Sequence, residues 1–275
     1  SRLSTPAPSE SGLPDAVGVG VDVKGITERP QPETPSGTGQ FGTLAVSPSV
    51  SRALADMGYE KPTPIQERVI PMIRLGQDLV GQAQTGTGKT TAFGLPIIET
   101  VNKRSRHPQA LVLTPNRELA LQVSEEISRI GMYQDFKSVA IYGGQPLQTQ
   151  IEVLRQGVQV IVATPGRLMD HMRRRTLSLT NIRIVVLDEA DKMLDIGFIT
   201  DIEHILRQIP RSRQALLFSA TIPHPIRRLA QRYLKNPQWV RIGGESEPVD
   251  QVAQIYYEVA AQDRGVALRE VLDEG

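Results

Sequence analysis

The sequence of 275 residues contains no cysteine, which excludes disulfide bonds, a thiolate nucleophile and cysteine-ligated zinc. No apolar run approaches about 18 residues, so we expect no membrane span. The formal net charge is only +1, so a nucleic-acid surface must be a local basic patch. The N-terminus lacks the basic-then-apolar pattern of a secretion signal, and we expect a cytoplasmic protein. Histidines are few and lack ligand spacing, which indicates surface or helix positions: His107, His171, His204 and His224.

Two stretches are poor in the apolar side chains that a core requires. Residues 1–40 are rich in Ser, Pro, Gly, Thr and Glu, and we expect a disordered tail because such a segment cannot offset its ordering entropy. Residues 243–250 are polar and turn-rich, which indicates a linker. Residues 251–275 then show one strand-like and one helix-like segment, 252–259 and 264–272. They predict the start of a truncated second domain.

Between these stretches, short β-branched runs alternate with helical patterns. The alternation predicts βαβ units and a mostly parallel sheet with helices on both faces. Ligands of such sheets bind at the carboxyl ends of the strands, where Thr114, Thr164, Asp188 and Ser219 stand. The predicted strands are 78–80, 110–113, 138–141, 159–162, 184–187, 215–218 and 239–242. Two predicted helices start at 48 and 91. The other predicted helices span 65–75, 117–130, 148–155, 167–174, 199–208 and 225–233.

The segment from Ala83 to Thr90 lies between a predicted strand and a predicted helix and has the layout of a phosphate-binding P-loop. In such a loop, backbone N–H groups surround a phosphate, Lys89 supplies positive charge and the Thr90 hydroxyl ligates Mg²⁺. The strict motif has Gly where Ala83 stands, so a close backbone approach requires negative φ there. The alternative is a flexible Gly/Thr turn with a chance lysine. The predicted phosphate-binding residues of the loop are Gln84, Thr85, Gly86, Thr87, Gly88, Lys89 and Thr90.

A second motif, Asp188-Glu189-Ala190-Asp191, follows an apolar predicted strand. A carboxylate at this position can hold Mg²⁺ through water, so we predict that Asp188 does so opposite Thr90. Glu189 can orient the attacking water and accept its proton, which with Lys89 and Asp188 completes the predicted catalytic set. The alternative is an acidic helix N-terminus, where Asp and Glu are favourable in any protein. The P-loop upstream on the same sheet favours the catalytic interpretation.

These motifs stand in a series of blocks that resembles the first RecA-like domain of a DEAD-box RNA helicase, from Phe41 to about Ile242. The resemblance implies an α/β RecA-like P-loop fold, use of ATP and Mg²⁺, and a second RecA-like domain in cis. Ala is usual in the family at position 83. Thr is usual where Asn116 stands, so we expect altered detail at the RNA backbone there. The blocks are Phe41, Pro62 to Gln66, Ala83 to Thr90, Pro115 to Ala120, Gly143-Gly144, Thr164 to Arg167, Asp188 to Asp191 and Ser219 to Thr221.

The resemblance also implies roles for single residues. Gln66 would read the N6/N7 edge of adenine and Phe41 would stack on the base; from the residues alone, an exposed helix Gln and a stapling Phe are the alternatives. Asp191, Ser219 and Thr221 would couple ATP state to unwinding, although a helix-capping Ser/Thr pair is also compatible. The residues that would contact RNA phosphates and sugars, independently of base sequence, are Pro115, Arg117, Gly144, Thr164, Pro165, Gly166 and Arg167.

Two functional hypotheses follow from these motifs. The first is an ATP-dependent RNA helicase that binds ATP–Mg²⁺ and single-stranded RNA and hydrolyses ATP to unwind short duplexes. The second is a nucleotide- and RNA-binding module with little turnover, because no arginine-rich block follows residue 243 to supply an arginine finger. The basic run 173–175 either extends the RNA-binding face or is a solvated helix end.

Overall fold

The computed structural model describes residues 39–242, 259 and 264–273. The predicted tail up to residue 38, the linker 243–250 and almost all of the strand predicted at 252–259 lie outside the described residues. The chain divides into two compact units, Ser1–Val240 and Arg241–Gly275.

The described part of the first unit opens with a hairpin that the sequence pattern did not predict. Strands β1 (Gly39–Phe41) and β2 (Leu44–Val46) are antiparallel, with Phe41 paired to Leu44. Three residues per strand are too few to show a period of two, which is why the pattern missed them. Helices α1 (Pro48–Asp56) and α2 (Pro64–Arg74) follow where Ser-Pro and Thr-Pro start signals predicted them.

Seven further strands form one sheet in the order β5-β6-β4-β7-β8-β3-β9. The pairings of β3 with β8, β4 with β6 and β7, β5 with β6 and β7 with β8 are all parallel, as predicted. The bounds are β3 (Leu79–Gln82), β4 (Ala110–Leu113), β5 (Ser138–Ile141), β6 (Val160–Ala163), β7 (Ile184–Leu187), β8 (Gln214–Ser219) and β9 (Gln238–Arg241).

The helices between these strands begin and end within about two residues of their predicted bounds. They are α3 (Lys89–Thr100), α4 (Arg117–Ile130), α5 (Leu147–Arg155), α6 (Pro165–Arg173), α8 (Ile199–Gln208) and α9 (His224–Tyr233). The exception is α7 (Ala190–Asp195), a short helix that follows Glu189 directly and was not predicted. In the second unit, α10 (Arg264–Asp273) occupies the predicted helical segment.

Both faces of the sheet are covered, because alternate strand residues pack into two different layers. On one face, Leu111, Val185 and Leu217 join a core with apolar residues of α6, α7, α8 and α9. On the other face, Phe218 packs against Phe93 of α3, with ring centroids 5.5 Å apart. The near-continuous apolar runs of β4, β6 and β7 are what a sheet buried on both faces requires.

The register aligns the carboxyl ends of the inner strands. Leu113 pairs with both Ala163 and Leu187, so the residues that follow these three strands emerge at one level. The backbone N–H of Asp188 donates to Leu113 O at 2.9 Å, and that of Thr164 donates to Ile141 O at 3.0 Å. The polar residues that follow the strands therefore share one edge of the sheet, as predicted.

Candidate nucleotide and nucleic-acid site

The P-loop candidate connects β3 to α3 at this edge. Ala83 N donates to Ser219 O at 3.1 Å, which continues the β3–β8 pairing by one residue. The φ angle of Ala83 is not positive, so this residue can approach a phosphate closely in spite of its Cβ. Gly88 has φ +86°, and a Cβ there would collide with the Gln66 amide. Glycine at 88 is thus required by both conformation and space.

Lys89 is the first residue of α3 and is 6% exposed. Its Nζ donates to Ala83 O at 3.1 Å, so the ammonium lies inside the loop it belongs to. The free backbone N–H groups of a helix N-terminus and a lysine charge at the same place form a site that favours phosphate. The sequence predicted this combination, and the fold brings both parts to the end of β3.

Asp188 is 2% exposed at the end of β7, and its Oδ1 has no hydrogen-bond partner among the described residues. Burial raises the pKa of the Asp188 carboxyl to about 6, and the positive charge of Lys89 opposes that rise. A buried carboxylate oxygen without a partner is costly, so a water or a bound cation is needed to complete it. The donor set at this edge fits Mg²⁺ held through water by Asp188 and Thr90, as the sequence predicts.

Glu189 follows Asp188 with φ 53° and ψ 53°, in the left-handed region. A non-glycine residue there costs about 1–2 kcal/mol, and such residues cluster at functional sites. This conformation turns the chain sharply from β7 into α7. The strain was invisible in the sequence, because Glu carries no signal for positive φ.

Gln66 is 3% exposed, and both ends of its amide are bonded to the protein. Its Oε1 accepts from Thr63 N at 3.0 Å, and its Nε2 donates to Gly88 O at 3.0 Å. Thr63 Oγ1 donates to Thr87 O at 2.9 Å, which makes a second bond from the start of α2 to the P-loop. Gln66 is therefore not an exposed helix residue, and the start of α2 supports the phosphate loop directly.

Phe41 is 2% exposed in β1, and a Cβ at the next residue, Gly42, would collide with Pro62. The side chain of Phe41 is therefore packed inside this structure. Stacking on adenine stays a prediction, and it requires that the ring become accessible when a base binds.

Asp191, Ser219 and Thr221 are in mutual contact. Asp191 Oδ2 accepts from Thr221 N at 2.9 Å and from Thr221 Oγ1 at 3.0 Å, while Asp191 N donates to Ser219 Oγ at 3.1 Å. Burial alone would raise the pKa of the Asp191 carboxyl, but the hydrogen bonds from Thr221 and Ser219 outweigh burial and hold the pKa below its usual value. The carboxylate thus links α7 to the segment after β8. The coupling role stays a prediction.

Sequence reasoning missed Glu126, which lies on α4 beside the start of α3. Thr91 Oγ1 donates to Glu126 Oε1 at 2.6 Å. Burial raises the pKa of Glu126 above its usual value. No motif marks this residue, because its partners are distant in sequence and meet only through the packing of α3 on α4.

The predicted RNA-contacting residues lie on the other half of the same edge, after β4, β5 and β6. Arg117 is exposed at the start of α4, with its Cζ 5.0 Å from the ring centroid of Tyr142. Arg167 Nη1 donates to Gln145 O at 2.8 Å. Gly144 has φ +86°, so a glycine is favoured in the turn between these arginines. Thr164, Pro165 and Gly166 form the start of α6.

Two further predictions concern the neighbours of this half. Asn116 is the N-cap of α4, and its Oδ1 accepts from Leu119 N at 2.8 Å, which gives this departure from the family pattern a structural role. Arg173, Arg174 and Arg175 are exposed at the far end of α6, about 10 Å along the helix from Arg167. Their position fits a solvated helix end.

Within residues 39–242 and 264–273, no helix is long and apolar enough to cross a bilayer. The same residues contain no group of three His, Cys, Asp or Glu side chains arranged to hold a metal ion.

Comparisons with known proteins agree with this geometry. The family model "DEAD/DEAH box helicase" matches residues 63–229. The chain is 48% identical over 233 residues to the DEAD-box ATP-dependent RNA helicase CshA of Geobacillus kaustophilus, covering 85% of this chain and 50% of the relative. It is 46% identical over 233 residues to CshA of Bacillus subtilis, with 85% and 47% covered. The chain thus spans about half the length of the curated relatives it matches.

Solved structures give the same result. A DEAD box protein from the hyperthermophile Methanococcus jannaschii superposes with a TM-score of 0.70 at 40% identity, covering 84% of this chain and 62% of that one. A hypothetical ATP-dependent RNA helicase from Sulfolobus tokodaii gives 0.66 at 39%, with 70% and 56% covered. With its RecA-like sheet, its P-loop and its Asp188-Glu189-Ala190-Asp191 segment, the chain belongs to the DEAD/DEAH box helicase family.

Proposed function

We propose that this chain is the ATP- and RNA-binding half of an ATP-dependent RNA helicase. It binds ATP–Mg²⁺ at the ends of β3, β7 and β8 and the backbone of single-stranded RNA at the ends of β4, β5 and β6. Hydrolysis of ATP then drives local unwinding once a second RecA-like domain closes over both ligands. The relatives named above are ATP-dependent RNA helicases, and the chain covers about half of their length.

The observation that carries the proposal is the presence of two buried groups of opposite charge, Lys89 and Asp188, at the same edge of the sheet. One is a buried cation bonded inside the phosphate loop, and the other is a buried carboxylate with an oxygen that lacks a partner among the described residues. The positive charge of Lys89 opposes the rise in the pKa of Asp188. A phosphate and a divalent cation together would satisfy both groups.

Each residue has a separate task in hydrolysis. Lys89 and the N–H groups of Gly86, Thr87 and Gly88 hold the phosphates and offset the charge that develops on them. Mg²⁺, when bound through Thr90 and Asp188, would neutralise the phosphate oxygens that face it. Glu189 orients the attacking water and accepts its proton.

The RNA contacts are proposed to involve phosphate and sugar only. Arg117 and Arg167 supply charge, the Gly144 turn lets the backbone approach closely, and the start of α6 offers backbone N–H groups. Affinity for a single-stranded oligonucleotide should therefore change little with its sequence and fall steeply with salt. A strong sequence preference of this chain would contradict these assignments.

The second candidate function, a binding module with little turnover, describes the chain by itself. We expect the 275-residue chain to bind ADP–Mg²⁺ but to hydrolyse ATP slowly, with little stimulation by RNA. No arginine-rich block follows residue 243, and an arginine finger typically raises the rate of hydrolysis about 10³–10⁵-fold. Adding a second RecA-like domain from a curated relative in cis should restore RNA-stimulated turnover.

The test is steady-state phosphate release at saturating ATP, with and without RNA, for the chain, the two-domain protein and its Glu189→Gln variant. We expect release to rise with the second domain and to disappear in Glu189→Gln while ADP affinity stays nearly unchanged. Fast, RNA-stimulated release from the chain alone would show that the second domain is not needed. Unchanged release in Glu189→Gln would show that another group activates the water.

A further inference from the structure

A buried polar cluster lies beneath the two arginines of the RNA-binding half. Gln150 on α5 is 3% exposed and His171 on α6 is fully buried, although neither belongs to a motif of the candidate site. His171 Nε2 and Gln150 Oε1 are 3.0 Å apart, and His171 Nδ1 lies 2.9 Å from Thr176 Oγ1. A buried polar network of this kind is costly unless every member is satisfied, so its bonding pattern is informative.

Gln150 fixes both ends of the turn that contains Gly144. Its Nε2 donates to Tyr142 O at 2.9 Å, where β5 ends, and to Gln145 Oε1 at 3.0 Å, beyond the turn. These two bonds use both N–H groups of the amide. Gln150 Oε1 therefore faces His171 Nε2, and the orientation of the amide follows from its partners.

This orientation determines the tautomer of His171. Because Gln150 Oε1 can only accept, His171 Nε2 must carry a proton. Nδ1 is then the acceptor in the neutral ring, and the Thr176 hydroxyl, which also lies 3.1 Å from the backbone oxygen of His171, is shared between these two acceptors. Burial lowers the pKa of His171, and the nearby charge of Arg167 lowers it further, so the neutral ring is the favoured form.

Both candidate RNA-binding arginines contact the turn that this cluster holds. Arg167 Nη1 donates to Gln145 O at 2.8 Å and lies 3.4 Å from Gln150 Oε1. Arg117 stacks over the ring of Tyr142, and its Nη1 lies 3.9 Å from the position that a Cβ of Gly144 would occupy. A shift of residues 142–145 would therefore move both guanidinium groups at once.

We propose that Gln150 and His171 are positioning residues that hold the 142–145 turn, and through it Arg167 and Arg117, in the arrangement that binds the phosphate backbone of single-stranded RNA. The proposal rests on the proposed RNA-binding function. It adds that an imidazole remote from the solvent-exposed surface determines how many phosphates the chain engages.

The test measures binding of a fluorescein-labelled oligouridine to the 275-residue chain by anisotropy over a range of salt concentrations. His171→Leu removes the Nε2 donor and should weaken binding about three- to tenfold. It should also lower the steepness of the salt dependence by the equivalent of about one phosphate contact, a change that simple destabilisation would not produce. His171→Gln places an amide N–H near Nε2 and should restore affinity to within about twofold.

Three controls separate positioning from folding. His204→Leu alters an exposed histidine on α8 and should leave RNA binding unchanged. ADP–Mg²⁺ affinity should be unchanged in every variant, since the nucleotide site lies on the other half of the edge. Thr176→Val removes the bonds of the hydroxyl to Nδ1 and to the backbone oxygen of His171, leaves the Nε2 donor in place, and gives a milder variant with the same expected direction if His171→Leu does not fold. ¹⁵N NMR of the unaltered chain should show the proton on Nε2.

Different outcomes would overturn different statements. An Nδ1-protonated ring, or wild-type RNA affinity and salt dependence in His171→Leu while Arg167→Ala binds weakly, would overturn the positioning role and leave the proposed function intact. Wild-type RNA affinity in Arg167→Ala itself would overturn the RNA contact, and the positioning role with it.

Discussion

At the amino-terminal edge of the sheet, Asp78 accepts backbone hydrogen bonds from Ala215 N at 3.1 Å and Lys235 N at 2.6 Å. At the carboxyl-terminal edge, Asp188 is buried to the same extent, 2% exposed, but one of its oxygens lacks a partner among the described residues. Two aspartates with equal burial thus differ in whether the protein itself completes their bonding.

The same contrast extends to neighbouring residues at the two edges. Gln214 Nε2, at the start of β8, donates to Ile73 O and Gln77 O and joins β8 to the segment before β3. Lys89 and Glu189, at the opposite edge, instead combine a buried charge with a strained backbone. Asp78 and Gln214 at the first edge join segments of the fold, whereas Asp188 at the second edge keeps an oxygen without a partner among the described residues. Substitutions of the two aspartates should therefore change stability in opposite directions.

The largest expected effect is at the amino-terminal edge. Asp78→Ala leaves two backbone donors in the interior without their acceptor, each at a cost of about 1–3 kcal/mol, and should lower the free energy of unfolding by about 3 kcal/mol. Urea unfolding of the chain measures it. Asp78→Asn keeps one acceptor oxygen and should therefore lower the free energy of unfolding by a smaller amount. If Asp78→Ala lowered the free energy of unfolding by less than about 1 kcal/mol, the hydrogen bonds of Asp78 would contribute little to stability. The contrast with Asp188 would then fail.

Asp188→Asn should change stability in the opposite direction. Its carboxyl pKa of about 6 exceeds the ordinary 3.8, so the ionised form present at neutral pH is disfavoured in the fold by about 3 kcal/mol. Removing that charge should raise the free energy of unfolding by about 1–3 kcal/mol without nucleotide, since the amide recovers only part of the cost. Urea unfolding in chelator measures this change.

The same variant should bind ADP–Mg²⁺ at least tenfold more weakly than the unaltered chain, in calorimetry with matched Mg²⁺. A less stable Asp188→Asn chain would contradict the assignment of Asp188 as a residue kept for a ligand.

Gln66→Ala sharpens the comparison, because Gln66 combines internal bonds with a proposed ligand contact. Loss of its bonds to Thr63 N and Gly88 O should cost about 1–2 kcal/mol of stability. Calorimetry should also show loss of the preference for ADP over GDP, which the adenine contact would set at about 1–3 kcal/mol. Gln214→Ala is the matched control, with a stability loss and an intact preference. Equal affinity of the unaltered chain for ADP and GDP would refute the adenine contact.

The smallest change in stability is expected at Glu189. Glu189→Gly relieves the left-handed strain but adds chain entropy to the unfolded state, so stability should rise by at most about 1 kcal/mol. Arg175 also has a left-handed backbone, with φ 54°, and lies away from the candidate nucleotide residues. Arg175→Gly should therefore give a similar rise in stability, measured by thermal unfolding. In the two-domain protein, only Glu189→Gly should abolish phosphate release. Loss of release in both variants would indicate a general effect of backbone flexibility.

Much of the fold followed from local patterns, and the exceptions have identifiable reasons. Gly58 and Gly76 end α1 and α2 with φ of 77° and 69°, as glycines after a helical pattern predict. The β1–β2 hairpin and α7 were missed because each is too short to show a period. The predictions for Lys89, Asp188 and Ser219 placed them at one edge because strand ends could be read from the sequence.

The tail and linker predictions, the role of each site residue and the cytoplasmic location stay predictions. For Gln66, the sequence suggested either an adenine contact or an exposed position. The structure rules out the exposed position and leaves the adenine contact a prediction. It adds a bond from the buried amide to the P-loop, which no local pattern encodes, since its partner Gly88 is 22 residues away.

By itself, the sequence determined the alternation of strands and helices, the P-loop and the family, because these depend on residues that are near one another along the chain. Only the tertiary structure decided the strand order, which places the candidate nucleotide residues after β7, β8 and β3 on one half of the sheet and the candidate RNA residues after β5, β6 and β4 on the other half. The tertiary structure also decided which buried polar groups have hydrogen-bond partners. Asp78, Gln150 and His171 have them, whereas one oxygen of Asp188 has none among the described residues. The reason is that the partners belong to segments that meet only in the folded chain.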